Sequence, residues 1–113
     1  MKLDVKTSVE EIIESLTMIE SYTRYVTQSG FKQGFLLQDA VIHRLEIIGD
    51  AAKNIPEDFR NAHPEIPWKE IAGLRDILIH AYFQVNIDRV WNVMKHELPD
   101  IKRKLLKVVQ KLE

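Results

Sequence analysis

The fold is decided by residues 68–82, which read WKEIAGLRDILIHAY. Apolar side chains recur here at the three- and four-residue spacing of an amphipathic helix, at Trp68, Ile71, Leu74, Ile77, Leu78 and Ala81. Pro67 comes directly before the run, and proline is favoured at the start of a helix. The run therefore predicts a helix that buries one face and carries polar side chains that packing does not require.

Three side chains in this helix have chemistry that an apolar helix does not need, namely Arg75, His80 and Tyr82. Arginine presents a fixed fork of donors that matches a phosphate. Histidine transfers protons near neutral pH, and the tyrosine hydroxyl can be hydrogen-bonded or modified. Each residue type is also common in structural roles. An arginine often pairs with an acid, a histidine often bonds a carbonyl, and a tyrosine often closes a helix end. The residues alone therefore leave both interpretations open.

The helical positions of these side chains favour a symmetric dimer. At 100° per residue Asp76 and His80 share a face, so the carboxylate can orient the imidazole. Arg75 and His80 do not share a face, and Ile79 falls in the polar sector. Two copies packed about a twofold axis would bring Arg75 of one protomer to His80 of the other and bury Ile79. The sequence thus predicts a homodimer through these helices.

The rest of the chain predicts an all-α fold. Strand patterns are absent and helical periodicity recurs throughout, so we expect a compact antiparallel bundle of about five helices in a single domain, residues 1–113. Ser8 to Glu11 reads as a capping box that starts the first helix, and Ser29-Gly30 as its end. The second helix is predicted from Phe35 to Asn54, a short one reaches Ala62, and two more start near Asn86 and Pro99.

The second helix carries apolar residues on two sides. One stripe comprises Leu37, Val41, Leu45, Ile48, Ala52 and Ile55, and an opposite one comprises Leu36, Ala40, Ile47 and Ala51. We therefore expect this helix to be central in the bundle and shared with another subunit. Gly73, inside the helix of residues 68–82, would be explained by the close approach of a neighbouring helix, or is a tolerated imperfection.

Composition narrows the class of protein. The chain has 113 residues, no cysteine and a formal net charge of −1. No apolar run approaches the roughly 20 residues that span a bilayer, so we expect a cytoplasmic protein without a membrane partner. The near-neutral charge counts against a tight RNA binder, but not against an enzyme that makes one or two phosphate contacts. The basic residues near the end, Lys102, Arg103, Lys104, Lys107 and Lys111, are interpreted as a solvated face, with a phosphate-tracking surface as the alternative.

Other polar residues carry weaker signals. His43, Glu46 and Asp50 share a face of the second helix, but a di-metal bundle needs Glu-x-x-His pairs on two helices. We therefore predict no metal site and interpret them as a solvent or interface face. Trp68 and Trp91 are expected to anchor the core or an interface, His63 to lie in a loop, and His96 to pair with charge at a helix end.

The spacing Arg-x4-His-x-Tyr at residues 75–82 resembles the signature of the HEPN ribonucleases, specifically the HepT-type toxins that pair with a minimal nucleotidyltransferase antitoxin. Residues 40–53 are similar to the second helix of that family and residues 63–76 to its approach to the catalytic helix, and Val90-Trp91 with Leu98-Pro99 fits the segment that follows. The resemblance covers almost the whole chain. It implies a HEPN-like helical fold that works as a homodimer.

The resemblance also implies roles for individual residues. His80 would transfer protons and Arg75 would bind the scissile phosphate, with Asp76 in support, while RNA is cut without metal through its own 2′-hydroxyl. Tyr82 would accept AMP from ATP through the partner nucleotidyltransferase, which silences the toxin. ATP and Mg²⁺ then belong to that partner, and no cofactor is expected in this chain. The alternative is a non-catalytic module that binds nucleotide or substrate for the nucleotidyltransferase, and such a module would not cleave RNA by itself.

Overall fold

The computed structural model describes residues 4–79 and 86–112, with the side chains of residues 77–79 outside that description. Its helices are α1 (Val5–Thr23), α2 (Gln28–Gln33), α3 (Phe35–Lys53), α4 (Glu57–Ala62), α5 (Trp68–Ile79), α6 (Ile87–Asn92) and α7 (Leu98–Leu112), with a π-helical turn (Val93–Glu97) between the last two. Every regular element in these ranges is helical, which confirms the predicted all-α bundle. Dimerisation through α5 stays a prediction.

Helix α3 lies at the centre of the bundle. It packs against α1 on one side and α5 on the other, and α7 packs on α1. In its first predicted stripe Leu37 is partly buried, and the other members are each at most 2% exposed, namely Val41, Leu45, Ile48, Ala52 and Ile55. The second stripe is buried only at Ala51, whereas Leu36 is 86% exposed. The prediction that this helix is central in the bundle is therefore confirmed. At the start of α3 an apolar surface remains exposed.

The start of α1 differs from the predicted capping box. The carboxylate of Asp4 accepts a hydrogen bond from the backbone N–H of Lys6, at 3.1 Å, and so caps the helix one turn earlier. Ser8 lies inside α1 and is 3% exposed. The prediction was wrong because Ser8 belongs to the buried face of a helix that already has a cap.

The end of α1 also differs, because a separate short helix follows it. Helix α1 ends at Thr23, and Thr27 caps α2 by accepting from the backbone N–H of Gly30 at 3.0 Å. No described residue has a positive φ, so Gly30 is not a left-handed helix end. Phe31 of α2 is fully buried and its ring lies 5.5 Å from that of Trp91. This burial explains why the chain turns back into the core here.

The loop before α5 is fixed by side chains on both sides. The indole N–H of Trp68 donates to the backbone carbonyl of His63 at 3.0 Å, and the ring of Phe59 packs against both. The carbonyl of Pro67 accepts from the N–H of Ile71 at 3.0 Å, which confirms that α5 starts at this proline. Trp68 is 6% exposed, as expected of a core anchor. These contacts of Trp68 and Phe59 therefore fix the first turn of α5 against the loop that precedes it.

The last part of the chain is one continuous helical run. Asn86 caps α6 through the N–H of Arg89, at 3.1 Å, as predicted. Pro99 falls in the first turn of α7, but the chain has no break there, because the π-helical turn leads directly into it. A proline lacks the N–H that would bond the carbonyl four residues earlier, and a wider turn accommodates that loss. Within residues 4–79 and 86–112, none of the helices combines the length and the apolar character needed to cross a bilayer.

Candidate active site at Arg75

Arg75 projects from α5 toward α3 and is held there by an acid. Its Nη1 donates to Oδ1 of Asp50, and the two side chains are 37% and 50% exposed. The residues are 25 positions apart in the chain and meet because α5 packs along α3. The guanidinium therefore lies at the surface with one nitrogen fixed.

The backbone of α3 comes very close to α5 at this position. A Cβ added to Gly49 would lie 3.0 Å from the Cβ of Arg75 and 3.2 Å from its backbone nitrogen. A Cβ on Gly73 would meet no atom within 4 Å in the described part of the chain. Of the two explanations considered for Gly73, the described residues therefore favour the tolerated imperfection over the close approach of a neighbouring helix. The glycine that permits the approach is Gly49, which places Asp50 beside Arg75.

The charges around Arg75 are acidic. The hydrogen bond to Asp50, and then the charge of that carboxylate, raise the pKa of Arg75 above its ordinary value, with smaller contributions from Glu46 and Asp76. The guanidinium is therefore cationic at any physiological pH. In the part of the chain that the structure describes, Asp50 is its one hydrogen-bond partner. As far as the described residues go, its remaining N–H groups can therefore bind an anionic ligand.

The structure describes two of the four predicted site residues. Arg75 and Asp76 are adjacent on α5, with Arg75 half-buried and Asp76 exposed. His80 and Tyr82 lie outside the described residues, as does the side chain of Ile79. The roles predicted for His80 and Tyr82 therefore stay predictions.

The polar face of α3 formed by His43, Glu46 and Asp50 contributes a contact to the site that the sequence did not predict. His43 and Asp50 are exposed and Glu46 is half-buried, as expected of a solvent or interface face. Among the described residues, no group of three His, Cys, Asp or Glu side chains is arranged to hold a metal ion. Asp50 instead pairs with Arg75. No local pattern could have found this contact, because it joins two helices that are distant in sequence.

The basic residues of α7 are largely occupied by acids. Lys102 pairs with Glu20 of α1, and both Arg103 and Lys104 pair with Asp100. Lys107 and Lys111 are exposed. This arrangement agrees with the solvated face that was predicted.

Comparison with known proteins decides the family. The family model for HepT-like ribonucleases matches residues 12–108. The chain belongs to the HepT-like ribonuclease family. The prediction that this protein is a member of a ribonuclease family is thereby confirmed.

Two relatives of this HepT-like chain differ in how much of their own length it covers. A Thermococcus cleftensis protein named probable ribonuclease HepT is 46% identical over 108 residues, which cover 96% of this chain and 98% of that protein. A Methanocaldococcus jannaschii protein, whose name couples a gamma-glutamylcyclotransferase with a candidate RNase, is 46% identical over 113 residues. This chain spans 51% of the length of the latter protein.

A solved structure supports the HEPN-like fold of this HepT-like chain. It is the tri-AMPylated HEPN toxin of Shewanella oneidensis in complex with an MNT antitoxin. The match has a TM-score of 0.67 and 26% sequence identity, and it covers 98% of this chain and 99% of that one. The predicted resemblance to HEPN toxins is confirmed.

Proposed function

We propose that this HepT-like chain is an endoribonuclease toxin that cleaves RNA without a metal ion. The observation that carries the proposal is the state of Arg75, a surface guanidinium that Asp50 fixes at one nitrogen and whose other donors have no partner among the described residues. Such a group is suited to bind a phosphodiester. The names of the relatives, a ribonuclease and a candidate RNase, support the same class of reaction.

The reaction uses a nucleophile that RNA itself carries. His80 takes the proton from a 2′-hydroxyl, and the resulting oxygen attacks the adjacent phosphorus. The bond from phosphorus to the 5′-oxygen breaks, and that oxygen takes up the proton that the imidazole removed, so no net proton is gained or lost. The products are a 2′,3′-cyclic phosphate and a 5′-hydroxyl, so no water is consumed. General acid–base catalysis of this kind contributes roughly 10² to 10⁴ in rate.

Arg75 acts on the phosphate while charge develops on its oxygens. A fixed cation stabilises the pentavalent transition state more than the ground state, since the equatorial oxygens gain negative charge. Asp76 has a supporting role, since it precedes His80 by four residues in the sequence, a spacing at which a carboxylate can orient an imidazole in a helix. The active form is a homodimer in which Arg75 of one protomer works with His80 of the other.

The toxin is silenced by a cognate minimal nucleotidyltransferase. The partner transfers AMP from ATP to the hydroxyl of Tyr82 and releases pyrophosphate, with Mg²⁺ and ATP bound in the partner's own site. A bulky anionic adduct two residues from His80 occupies the phosphate site and repels RNA. The solved relative supports this proposal, since it is a tri-AMPylated toxin in complex with an antitoxin.

The test is cleavage of a labelled RNA by the purified chain in EDTA. We expect cleavage by the parent and a loss of roughly 10²-fold or more in Arg75→Ala and His80→Ala. Arg103→Ala and His96→Ala are the matched controls, because they remove an arginine and a histidine from exposed positions of α7 and the π-helical turn, and both should cleave as the parent does. Cleavage that survives His80→Ala, or that EDTA abolishes, would contradict the mechanism. A parent that leaves RNA intact but alters the turnover of the nucleotidyltransferase would favour the non-catalytic module.

A further inference from the structure

The ion pair between Asp50 and Arg75 needs an explanation other than stability. Both side chains are substantially exposed, and ion pairs in water contribute little to the free energy of unfolding. The pair nevertheless joins α3 to α5 beside the close approach at Gly49. Its acidic surroundings, Asp50, Glu46 and Asp76, are also unfavourable for a site that must attract RNA.

The geometry of the pair determines which edge of the guanidinium is free. Arg75 uses Nη1 to reach Asp50. The edge formed by Nε and Nη2 carries two parallel N–H donors, and this edge can bind two oxygens of one phosphate at once. An arginine with no such contact rotates about its side-chain bonds and presents this edge only part of the time.

From this we propose that Asp50 is a positioning residue for Arg75: it holds Nη1 so that the Nε–Nη2 edge faces the scissile phosphate of RNA. The inference rests on the proposed ribonuclease function and deepens it. Gly49 contributes by letting α3 approach α5 closely enough for a short aspartate to reach the guanidinium. Asp50 has two opposed effects on catalysis, because its carboxylate orients the arginine and also repels the phosphate backbone.

These opposed effects predict a kinetic signature that a purely structural residue would not give. Without Asp50 the guanidinium is disordered, so kcat falls; without its charge RNA is repelled less, so KM falls as well. Loss of folded protein would instead lower the apparent kcat at constant KM, and would appear in the unfolding curve. Asp50→Asn keeps an oxygen that can accept from Nη1 while removing the charge, so it should retain more of kcat than Asp50→Ala does.

The kinetic experiment measures RNA cleavage in EDTA for the parent, Asp50→Asn and Asp50→Ala. We expect kcat to fall about tenfold or more in Asp50→Ala, with a KM below that of the parent, and an intermediate kcat in Asp50→Asn. The matched control is Asp100→Asn, which removes a carboxylate paired with Arg103 and Lys104 on α7, and which should behave as the parent. A kcat within twofold of the parent in Asp50→Ala, or a KM that is unchanged or raised, would overturn the proposal.

A second measurement separates this proposal from the proposed function. Side-chain ¹⁵N NMR reports how fast a guanidinium rotates, whether or not RNA is cleaved. We expect hindered rotation for Arg75 in the parent and free rotation in Asp50→Ala. The reference is the exposed Arg24, which makes no hydrogen bond within the described residues. If Arg75 of the parent rotates as freely as Arg24, positioning fails even where cleavage persists; if rotation is hindered but the parent leaves RNA intact, the ribonuclease proposal fails instead.

Discussion

Gly49 and Arg75 are in such close contact that a Cβ on residue 49 would lie 3.0 Å from the Cβ of Arg75. The same Cβ would lie 3.2 Å from the backbone nitrogen of Arg75, which cannot move without moving α5. Contacts of this length are tighter than nine in ten real Cβ contacts, so a side chain at residue 49 would push α3 and α5 apart by a few tenths of an ångström. The contact connects the central helix of the bundle to the residue proposed to bind phosphate.

Gly49→Ala should therefore destabilise the protein and displace Arg75. Overpacking costs about 1–3 kcal/mol, which exceeds the gain of about 1 kcal/mol that alanine brings to a helix interior. Urea denaturation measures the net loss in the free energy of unfolding. RNA cleavage by the folded variant should fall as well, because the guanidinium moves with α5.

Gly73→Ala is the matched control, since this glycine also lies inside a helix. An added Cβ meets no described atom within 4 Å, so the variant should gain up to about 1 kcal/mol from helix propensity alone. Equal losses of stability in the two variants would contradict the contrast between a crowded and an open glycine.

Periodicity in the sequence was sufficient to predict the central part of the fold. Helix α3 and its buried stripe followed from the spacing of Val41, Leu45 and Ile48, because only one face of a helix can reach the core. Pro67 and Asn86 predicted helix starts correctly. Proline favours a helix start through its fixed backbone angle, and asparagine caps a helix through its own side chain. These signals are local, so the sequence contains them in full.

The remaining features depend on contacts that no local pattern contains. Ser29-Gly30 is typical of a helix end, but the burial of Phe31 against Trp91 organises α2 around it instead. Arg75 was predicted from its chemistry, while its partner Asp50 was assigned only to a solvent or interface face. That pairing depends on how α3 and α5 pack, which the sequence does not reveal from the two helices taken separately.

Phe31→Ala tests whether α2 belongs to the core. Phe31 is fully buried, and removal of a buried phenylalanine costs about 3–5 kcal/mol. The matched control is Phe35→Ala, since Phe35 is 75% exposed and its removal should change stability by no more than about 0.5 kcal/mol. Chemical denaturation measures the change in the free energy of unfolding for each variant. A similar effect of the two substitutions would show that α2 does not pack as described.

Asp100 predicts a small dependence of stability on pH. Hydrogen bonds from Lys104 and then from Arg103 lower the pKa of Asp100 below its ordinary value. A lowered carboxylate pKa stabilises the fold above the unfolded pKa, and this contribution is lost as the pH falls through the folded pKa. The difference in Tm between the parent and Asp100→Asn should therefore be largest near neutral pH and shrink below about pH 4. A difference that is constant with pH would contradict this assignment.

Tyr82 predicts a site-specific modification. Incubation with the cognate nucleotidyltransferase, ATP and Mg²⁺ should add one or more AMP groups to the chain and abolish RNA cleavage, because the adduct competes with RNA for Arg75. Intact mass spectrometry should show the gain in the parent and not in Tyr82→Phe. Tyr25→Phe is the matched control, since Tyr25 is 93% exposed and should not affect the modification. AMP on Tyr82→Phe at the level of the parent would refute the assignment.

The dimeric site predicts that two inactive variants complement each other. In a mixed dimer of Arg75→Ala with His80→Ala, one of the two sites combines the intact Arg75 of one protomer with the intact His80 of the other. The second site lacks both groups. A site formed within a single chain would lack one group in every protomer, so no mixture could restore it.

The most direct measurement is therefore RNA cleavage in EDTA by an equimolar mixture of Arg75→Ala and His80→Ala, combined under conditions that allow protomers to exchange. With random exchange, half of the dimers are mixed and each regains one site, so cleavage should rise to about a quarter of the parent's rate. Cleavage that stays at the level of the two variants measured separately, after exchange has been verified, would contradict a shared site between Arg75 and His80.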